Sequence, residues 1–396
     1  MKKNWLIKLT TAILLFPTGL STVTAQEEFV TDLAEQTQEF AGPLRNNFDA
    51  TENFVYSPFS YYLALTLLEA GLTNEQQTQL DDILVHPDYS RQDYFNELAD
   101  FLETSVTAEQ QPFDTMQLAL GREGKTWQPA YQEAVEALQG QAEIIDFSNT
   151  HSYQELNDTI ADFTRGLIDP YFSQDRIADL AANEDLQLIL MNLLYFKSNW
   201  RNEFYAGWTS SDIYYGVESE TTVDMMHQTE YFDYVETADF QAVKLPYENQ
   251  AELVVVLPAK ATSNEAMWVF YQEALASEDW ERRNIDLSLP KWEMEDAYDL
   301  TETLAVYGLE FTDSLGATQF FQDDQELAVS KILQSVVFKL DEDGTEAAAV
   351  TEIDIEVTSA PIVEDPIEMR VERPFVYGLN YQNVPLFEGI NWQLGE

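Results

Sequence analysis

The chain of 396 residues contains no cysteine and only three histidines. The absence of cysteine excludes disulfides, thiolate nucleophiles and cysteine-ligated metal sites. His86, His151 and His227 stand in no spacing that is typical of metal ligands. The chain also lacks the Gly-x-Ser-x-Gly motif that presents an activated serine in many hydrolases. We therefore expect no metal, no cofactor and no catalytic residue, and the sequence favours a protein that is not an enzyme.

Basic residues are scarce, because 20 Lys and Arg face 71 Asp and Glu and the formal net charge is −51. Without a basic surface, nucleic acid, heparin and anionic membranes are poor partners. Hydrophobic residues nevertheless make up 45% of the chain and aromatic residues 13%, which excludes a disordered acidic tail. The charge fits either a saline environment or a generally solubilising surface, and the composition leaves both open.

The N-terminus predicts a secretory signal peptide. Lys2, Lys3 and Lys8 precede an apolar run over 9–20, and small residues follow at 23–25. We expect cleavage near Ala25, a signal peptide at 1–25, one domain at 26–396, and secretion to the extracellular space or the periplasm. The short leader is typical of a bacterial protein. No later run reaches about 18 apolar residues, so no membrane span is predicted.

Helical periodicity dominates the first half of the chain, and strand patterns dominate the second. Helices are predicted over 28–40, 60–69, 94–104 and 129–139, and strands over 186–195, 242–245, 252–257, 285–289, 332–340, 367–372 and 375–380. Helices that precede strands, without regular strand–helix–strand alternation, indicate an α+β fold in one large domain.

The most informative stretch follows the strand at 332–340 and the turn at 341–344. From Thr345 to Val357 the odd positions are small, apolar or hydroxyl-bearing, while the even positions become acidic. A solvated loop has no reason to keep this alternation. Two structures explain it: an ordinary hairpin with a second strand at 345–357, or a segment that enters a sheet as a strand in another state. The pattern alone leaves both open.

Motifs in a fixed order make the chain resemble the serpin family of protease inhibitors, over about 28–391. The motifs are NFVYSPFS at 53–60, NLLYFKSNW at 192–200, VDMM at 223–226, LPY at 245–247, LPK at 289–291, DEDGTEAAA at 341–349, PF at 374–375 and PLFEG at 385–389. Each motif is weak by itself, but their order over most of the chain is a strong signal. Ser198 departs from the family pattern, which usually has glycine there.

The resemblance implies a fold of three β-sheets and about nine helices, with an exposed reactive-centre loop. It also implies a suicide inhibitor of serine or cysteine proteases. The loop is the bait, the protease forms an acyl-enzyme, and the cut loop then inserts into the large sheet with the enzyme attached. The implied partner is a target serine protease in a covalent complex, and the implied state of the free protein is a monomer.

The resemblance also assigns site residues. It implies a hinge at Glu342, Asp343, Gly344, Thr345, Glu346, Ala347, Ala348 and Ala349, and shutter and breach positions at Ser57, Asn192, Trp200 and Gln334. Gln334 departs from the histidine that is common in the family. An amide can still bridge buried partners such as Ser57 or Asn192 by hydrogen bonds, but it does not titrate.

Counting from Gly344 in the family register places the reactive bond between Thr358 and Ser359. Residues 357–360 are small or β-branched, which predicts an elastase-like or subtilisin-like target. The segment after Thr358 is longer than usual, so the two neighbouring bonds remain alternatives.

Small hinge residues favour an inhibitor. A non-inhibitory serpin-like binding protein or chaperone, and a structural or adhesion protein with the same fold, remain open.

Overall fold

The computed structural model describes residues 25–45, 52–107, 113–168, 170–183, 186–260, 262–307, 318–322, 331–345 and 365–395. The remaining residues include 346–364, which contain most of the expected reactive-centre loop. Among the described helices, none is long and apolar enough to cross a membrane.

Within these residues the chain forms nine α-helices and two 3-10 helices. The α-helices are α1 (Ala25–Arg45), α2 (Pro58–Ala70), α3 (Asn74–Gln77), α4 (Asp81–Leu84), α5 (Arg91–Thr107), α6 (Pro129–Ala137), α7 (Thr150–Phe163), α8 (Gln174–Ala182) and α9 (Asn264–Leu275), and the 3-10 helices are Ala206–Trp208 and Glu302–Tyr307. α2 shows why a helix begins where it does: the Ser57 hydroxyl accepts from the Ser60 amide, and Pro58 occupies the first turn.

Sixteen strands accompany the helices in the described part of the chain. They are β1 (Phe54–Tyr56), β2 (Asp114–Arg122), β3 (Gly140–Ile145), β4 (Leu188–Tyr195), β5 (Ser198–Asn199), β6 (Ser210–Tyr215), β7 (Glu220–Glu236), β8 (Phe240–Pro246), β9 (Ala251–Pro258), β10 (Glu281–Pro290), β11 (Trp292–Asp299), β12 (Lys331–Leu340), β13 (Gly344–Thr345), β14 (Ile367–Arg370), β15 (Phe375–Tyr381) and β16 (Val384–Asn391). The expected α+β fold in one large domain is confirmed.

Backbone hydrogen bonds join these strands into two sheets. One has nine strands in the order β1-β16-β15-β9-β8-β7-β10-β14, with β6 on β7, and the other has seven in the order β3-β2-β4-β12-β13-β5, with β11 on β12. Three sheets were expected. The count differs because β7 is 17 residues long and pairs with β6 near its start and with β8 near its end, so that two sheets become continuous.

The sequence of β4 is apolar throughout because both faces of this strand are buried. Leu188, Leu190 and Leu194 pack into the larger core, on the side where α2 crosses the strand. Ile189, Met191 and Leu193 face a second core built with side chains of α7 and α8. β4 therefore lies in the middle of the seven-stranded sheet, covered on both sides.

A buried ion pair joins the first described helix to the last described strand. Arg45 donates from Nη2 to Glu388 Oε1 at 2.6 Å and from Nε to Oε2 at 2.9 Å. The Tyr56 hydroxyl donates to the same carboxylate at 2.6 Å, and the guanidinium lies over the Trp268 ring at 5.3 Å. A buried pair of charges persists only when its remaining hydrogen-bonding capacity is met in this way.

Candidate functional site

The candidate site lies between β4 and β12, the two central strands of the seven-stranded sheet. Over Lys331–Ser335 and Ile189–Leu193 these strands are direct parallel neighbours. Further along, β13 lies between β12 and β5 instead. The gap between the strands is thus closed at the centre of the sheet and already occupied at one end.

The turn that leads into β13 is held by Asp341. Its Oδ1 accepts from the amides of Asp343 at 3.1 Å and Gly344 at 3.3 Å, and its own amide donates to the Gly344 carbonyl at 2.9 Å. Gly344 has φ of +150°, and a Cβ at this position would overlap the Ser198 carbonyl oxygen. Only glycine therefore allows the chain to enter the sheet so close to β5.

We call the occupied end of the gap the breach: β13, β5, Trp200 and Tyr247. Thr345 is 3% exposed, and its hydroxyl is 2.6 Å from the Tyr247 hydroxyl. It pairs with Leu340 on one side and Ser198 on the other. The hinge thus already forms two residues of a strand, with its threonine side chain in the core.

Trp200 fixes the chain just before this strand. Its Nε1 donates to the Asp341 carbonyl at 3.0 Å, and its amide donates to the Asp343 carbonyl at 2.9 Å. The ring stacks on Tyr247, with centroids 4.2 Å apart. Trp200 is therefore both a core aromatic and, beside Asp341, a second hydrogen-bonding support of the turn.

Glu342 ties the turn to two other elements. Its carboxylate lies 2.8 Å from Lys291 Nζ and accepts from the Thr209 hydroxyl at 2.7 Å, while its carbonyl accepts from the Phe204 amide at 3.0 Å. Burial acts to raise the pKa of this carboxyl, but the hydrogen bonds from Lys291 and Thr209 outweigh burial and hold the pKa below its usual value.

We call the closed centre of the gap the shutter: Ser57, Ser60, Asn192 and Gln334. Asn192 and Gln334 are cross-strand neighbours on β4 and β12. Gln334 Oε1 accepts from the Ser57 amide at 3.1 Å, and its Nε2 donates to the Ser57 carbonyl at 2.8 Å. The Ser60 hydroxyl donates to Asn192 Oδ1. Each of the two strands is therefore linked separately to the start of α2.

The shutter leaves one buried donor without a partner. Asn192 is fully buried, and its Nδ2 has no hydrogen-bond partner among the described residues. An unpaired buried amide costs free energy of about 1–3 kcal/mol. The closed sheet therefore keeps a donor that another strand in this gap would be able to satisfy.

Comparison with known proteins identifies the fold that contains this gap. The family model described as Serpin (serine protease inhibitor) matches residues 29–391. The chain belongs to the serpin family. An uncharacterized serpin-like protein of Thermococcus kodakarensis is 25% identical over 335 residues, which cover 82% of this chain and 76% of that protein. Human Serpin B4 is 25% identical over 402 residues, covering 90% and 98%. The crystal structure of Serpin48 from Tenebrio molitor matches with a TM-score of 0.80 at 20% identity, covering 94% of this chain and 99% of that one.

The serpin fold brings most of the predicted site residues together. Glu342, Asp343, Gly344 and Thr345 lie at the breach with Trp200, whereas Ser57, Asn192 and Gln334 meet at the shutter. As the sequence led us to expect, the Gln334 amide bridges buried partners, here the two backbone groups of Ser57. The other hinge residues, Glu346 and Ala347 to Ala349, and the expected reactive bond at Thr358 and Ser359, lie outside the described residues.

Sequence reasoning missed four residues that hold the serpin site together: Ser60, Thr209, Tyr247 and Lys291. Tyr247 and Lys291 were visible as the third residues of the LPY and LPK motifs, but nothing in the sequence tied either to the hinge. Their contacts join residues about 50 to 130 positions apart. Only the packed sheet places them beside one another.

Proposed function

We propose that this serpin traps a serine protease by inserting its cleaved loop between β4 and β12. The observation that carries the proposal is the partial insertion of the hinge: Gly344 and Thr345 already pair on both sides at the breach, while the strands remain joined at the shutter. Insertion then needs no new entry point. It needs only the continued separation of two strands that begin to part at the breach.

The register of the hinge predicts where the inserted loop would lie. In an antiparallel strand that continues from the Leu340–Thr345 pair, Thr351 would lie opposite Gln334. The Ser198–Thr345 pair on the other side places the same residue opposite Asn192. Both neighbouring strands thus give one register, with a hydroxyl at the level of the unpaired Asn192 Nδ2.

The side-chain alternation of the loop fits this register. Thr345 faces the core, so the residues of the same parity up to Val357 would face it too, and they are small, apolar or hydroxyl-bearing. Ile353, Ile355 and Val357 would gain about 1.5–3 kcal/mol each if fully buried. The even positions, which include Glu352, Asp354 and Glu356, would stay outside. Insertion is therefore favoured by the sequence of the loop itself.

We assign the reactive bond to Thr358–Ser359 and the target class to elastase-like or subtilisin-like enzymes, because small residues surround the bond. Arg370, the nearest basic candidate for a trypsin-like enzyme, is paired in β14 with β10 and bound to Asp212 and Glu372. The same proposal includes secretion of a monomer after removal of 1–25, a covalent complex with the protease, and no use of heparin, since the net charge is −51.

The test is incubation with elastase, subtilisin, trypsin and chymotrypsin, followed by electrophoresis in SDS. We expect an SDS-stable complex with elastase or subtilisin and none with the same enzyme after its catalytic serine is blocked. Mass spectrometry of the released fragment should give a new N-terminus at Ser359. An N-terminus at Thr358 or Ala360 moves the bond by one residue, and one after Arg370 overturns the target class.

A companion measurement separates the inhibitor from a non-inhibitory binding protein or chaperone. Cleavage within 352–360 should raise the thermal midpoint strongly, because the inserted loop adds a central strand about 45 Å long. Cleavage without an SDS-stable complex and with an unchanged midpoint would favour the non-inhibitory alternative.

A further inference from the structure

Polar side chains join the end of α2 to the segment 74–95, which contains α3, α4 and the start of α5. They belong to Glu69, Gln77, Asp81 and Arg91, and we call these four residues the polar cluster. Glu69 lies in the last turn of α2 and is 4% exposed, whereas Arg91 is the first residue of α5. The Gln77 side-chain amide donates to the Glu69 carbonyl oxygen at 2.9 Å. The polar cluster therefore holds the segment against α2.

Arg91 is shared unequally between the two carboxylates of the polar cluster. It donates to Asp81 from Nε at 2.8 Å and from Nη2 to both carboxylate oxygens at 2.7 Å, and its Nη1 donates to Gln77 Oε1 at 2.7 Å. Glu69 Oε1 lies 2.9 Å from Arg91 Nε, yet this buried oxygen accepts no well-aligned hydrogen bond from the described residues. Buried carboxylates normally have such donors. Glu69 is therefore the weakly supported partner.

The charges that face Glu69 do not balance. Arg91 on α5 is the cation, and Asp81 on α4 is a second anion. On α6, the exposed Glu133 lines the cavity beside Glu69. On α2 itself, the Tyr62 hydroxyl is neutral, because burial raises its pKa. One guanidinium thus serves two carboxylates, and a proton on Glu69 removes the excess negative charge.

The same imbalance determines when Glu69 takes up this proton. Burial raises the pKa of Glu69 from about 4.5 to about 7; Arg91 opposes the rise and Asp81 adds to it. A folded-state pKa above the unfolded one contributes stability that is fully present below about pH 4.5 and is lost as pH rises through about 7. The charge of the polar cluster therefore changes close to neutrality.

A cavity of about 370 Å³ lies against the polar cluster. Its lining includes Glu69, Gln77, Arg91, Gln92, Phe95 and Glu133. An ionised carboxylate is stabilised by hydration. The closed cluster limits the hydration of Glu69, and an outward movement of the segment 74–95 would widen the cavity and supply it. Ionisation of Glu69 therefore favours the open arrangement of the segment.

We propose that a proton on Glu69 holds the segment 74–95 against α2, and that loss of this proton lets the segment open. The contact is tightest in mildly acidic surroundings and loosens as pH rises through neutrality. The inference does not rest on the proposed insertion of the loop, since no residue of the polar cluster belongs to β4, β12 or the hinge.

The test is hydrogen exchange followed by mass spectrometry at pH 6, 7, 8 and 9, with rates corrected for the intrinsic pH dependence of exchange. Wild type is compared with Glu69→Gln, which keeps the shape of the side chain but does not titrate. Glu133→Gln is the matched control, because it removes an exposed carboxylate from the same cavity. Peptides of β9 (Ala251–Pro258), a buried strand of the other sheet, report any global change in stability.

We expect the opening constant of the segment 74–95 in wild type to rise about tenfold between pH 6 and 8 and to change little from pH 8 to 9. This is the rise for a carboxyl whose pKa falls from about 7 to about 4.5 when the segment opens. Glu133→Gln should show the same rise, and Glu69→Gln should lose most of it. The β9 peptides should show no comparable change.

Four results would overturn the proposal. They are a wild-type opening constant that is independent of pH, a rise that persists in Glu69→Gln, a rise that Glu133→Gln also removes, and an equal rise in the β9 peptides. If Glu69→Gln does not fold, the wild-type profile decides, because a rise that continues unchanged from pH 8 to 9 belongs to another group. Failure to trap a protease leaves this result unaffected, so the two proposals fail separately.

Discussion

The breach and the shutter lie in one gap between the same two strands, yet they are held by different forces. At the breach the strands are already apart, and β13, a stacked Trp200–Tyr247 pair and the ion pair of Glu342 with Lys291 fill the space. At the shutter the strands pair directly, and only neutral groups are involved. The comparison teaches that the two strands are already apart at the breach, whereas direct pairing and a few buried amide hydrogen bonds hold them together at the shutter.

The largest expected effect comes from Thr345→Arg at the breach. Because Thr345 is buried against Tyr247, arginine must either leave the sheet or bury an unpaired charge, at a cost of several kcal/mol. Insertion should slow, and the stoichiometry of inhibition should rise by about tenfold or more as the protein becomes a substrate. Titration of the variant against the protease measures this stoichiometry.

The matched control for this substitution is Thr345→Val, which keeps the shape and removes only the hydroxyl. It should inhibit nearly as well as wild type. An unchanged stoichiometry in Thr345→Arg would show that the breach is not the point of entry.

Gln334→Ala at the shutter should have the next largest effect. It leaves the amide and the carbonyl of Ser57 buried without their partner, so we expect a loss of about 2–4 kcal/mol in the free energy of unfolding. Urea denaturation measures the loss, and Gln132→Ala, at an exposed position on α6, is the control. Equal stability of the two variants would mean that the shutter amide does not hold the sheet closed.

Glu342→Gln tests the charged part of the breach through pH. The folded carboxyl has a pKa below its usual value, so its contribution to stability is fully present above the unfolded pKa of about 4.3 and is lost as pH falls through the folded pKa. The variant should be less stable than wild type by at most about 1 kcal/mol from pH 5 to 8. The difference should shrink below pH 4. A constant difference from pH 3 to 8 in thermal denaturation would contradict this assignment.

The smallest expected difference between the breach and the shutter is in how salt changes the stability of their variants. With a net charge of −51, the whole chain should gain stability between low salt and about 1 M, as repulsion is screened. As the salt concentration rises, the loss in the free energy of unfolding caused by Gln334→Ala should stay constant. The loss caused by Glu342→Gln should decrease. A wild-type midpoint that is flat with salt would favour a generally solubilising surface over a salt-adapted one.

The sequence predicted the elements whose pattern reflects one dominant environment. The apolar run of β4 and the periodicity of α2 were readable because both elements are buried almost throughout. β2 and β3 were missed in the half of the chain that was expected to be mostly helical. β7 was missed because it passes from one sheet environment to another, and its mixed polar sequence keeps no single alternation.

The candidate site was predictable as a set of residues but not as a set of contacts. The resemblance assigned Gly344 and Thr345 to the hinge, and it led us to expect that Gln334 is an amide with buried partners. The partial insertion of Thr345 and its bond to Tyr247 depend on how closely β5 approaches β12. That distance is a property of the packed sheet, and no local pattern encodes it.

The place of β16 within its sheet affects the timing of folding during synthesis. β16 lies between β1 and β15, and it supplies the Glu388 carboxylate that neutralises Arg45. While the ribosome is still adding residues 384–391, β1 has no strand to pair with in this sheet, and the guanidinium of α1 has no counterion in the core. The hinge and β12 have been synthesised by then. The two strands that border the gap, β4 and β12, are therefore synthesised before the nine-stranded sheet can be completed.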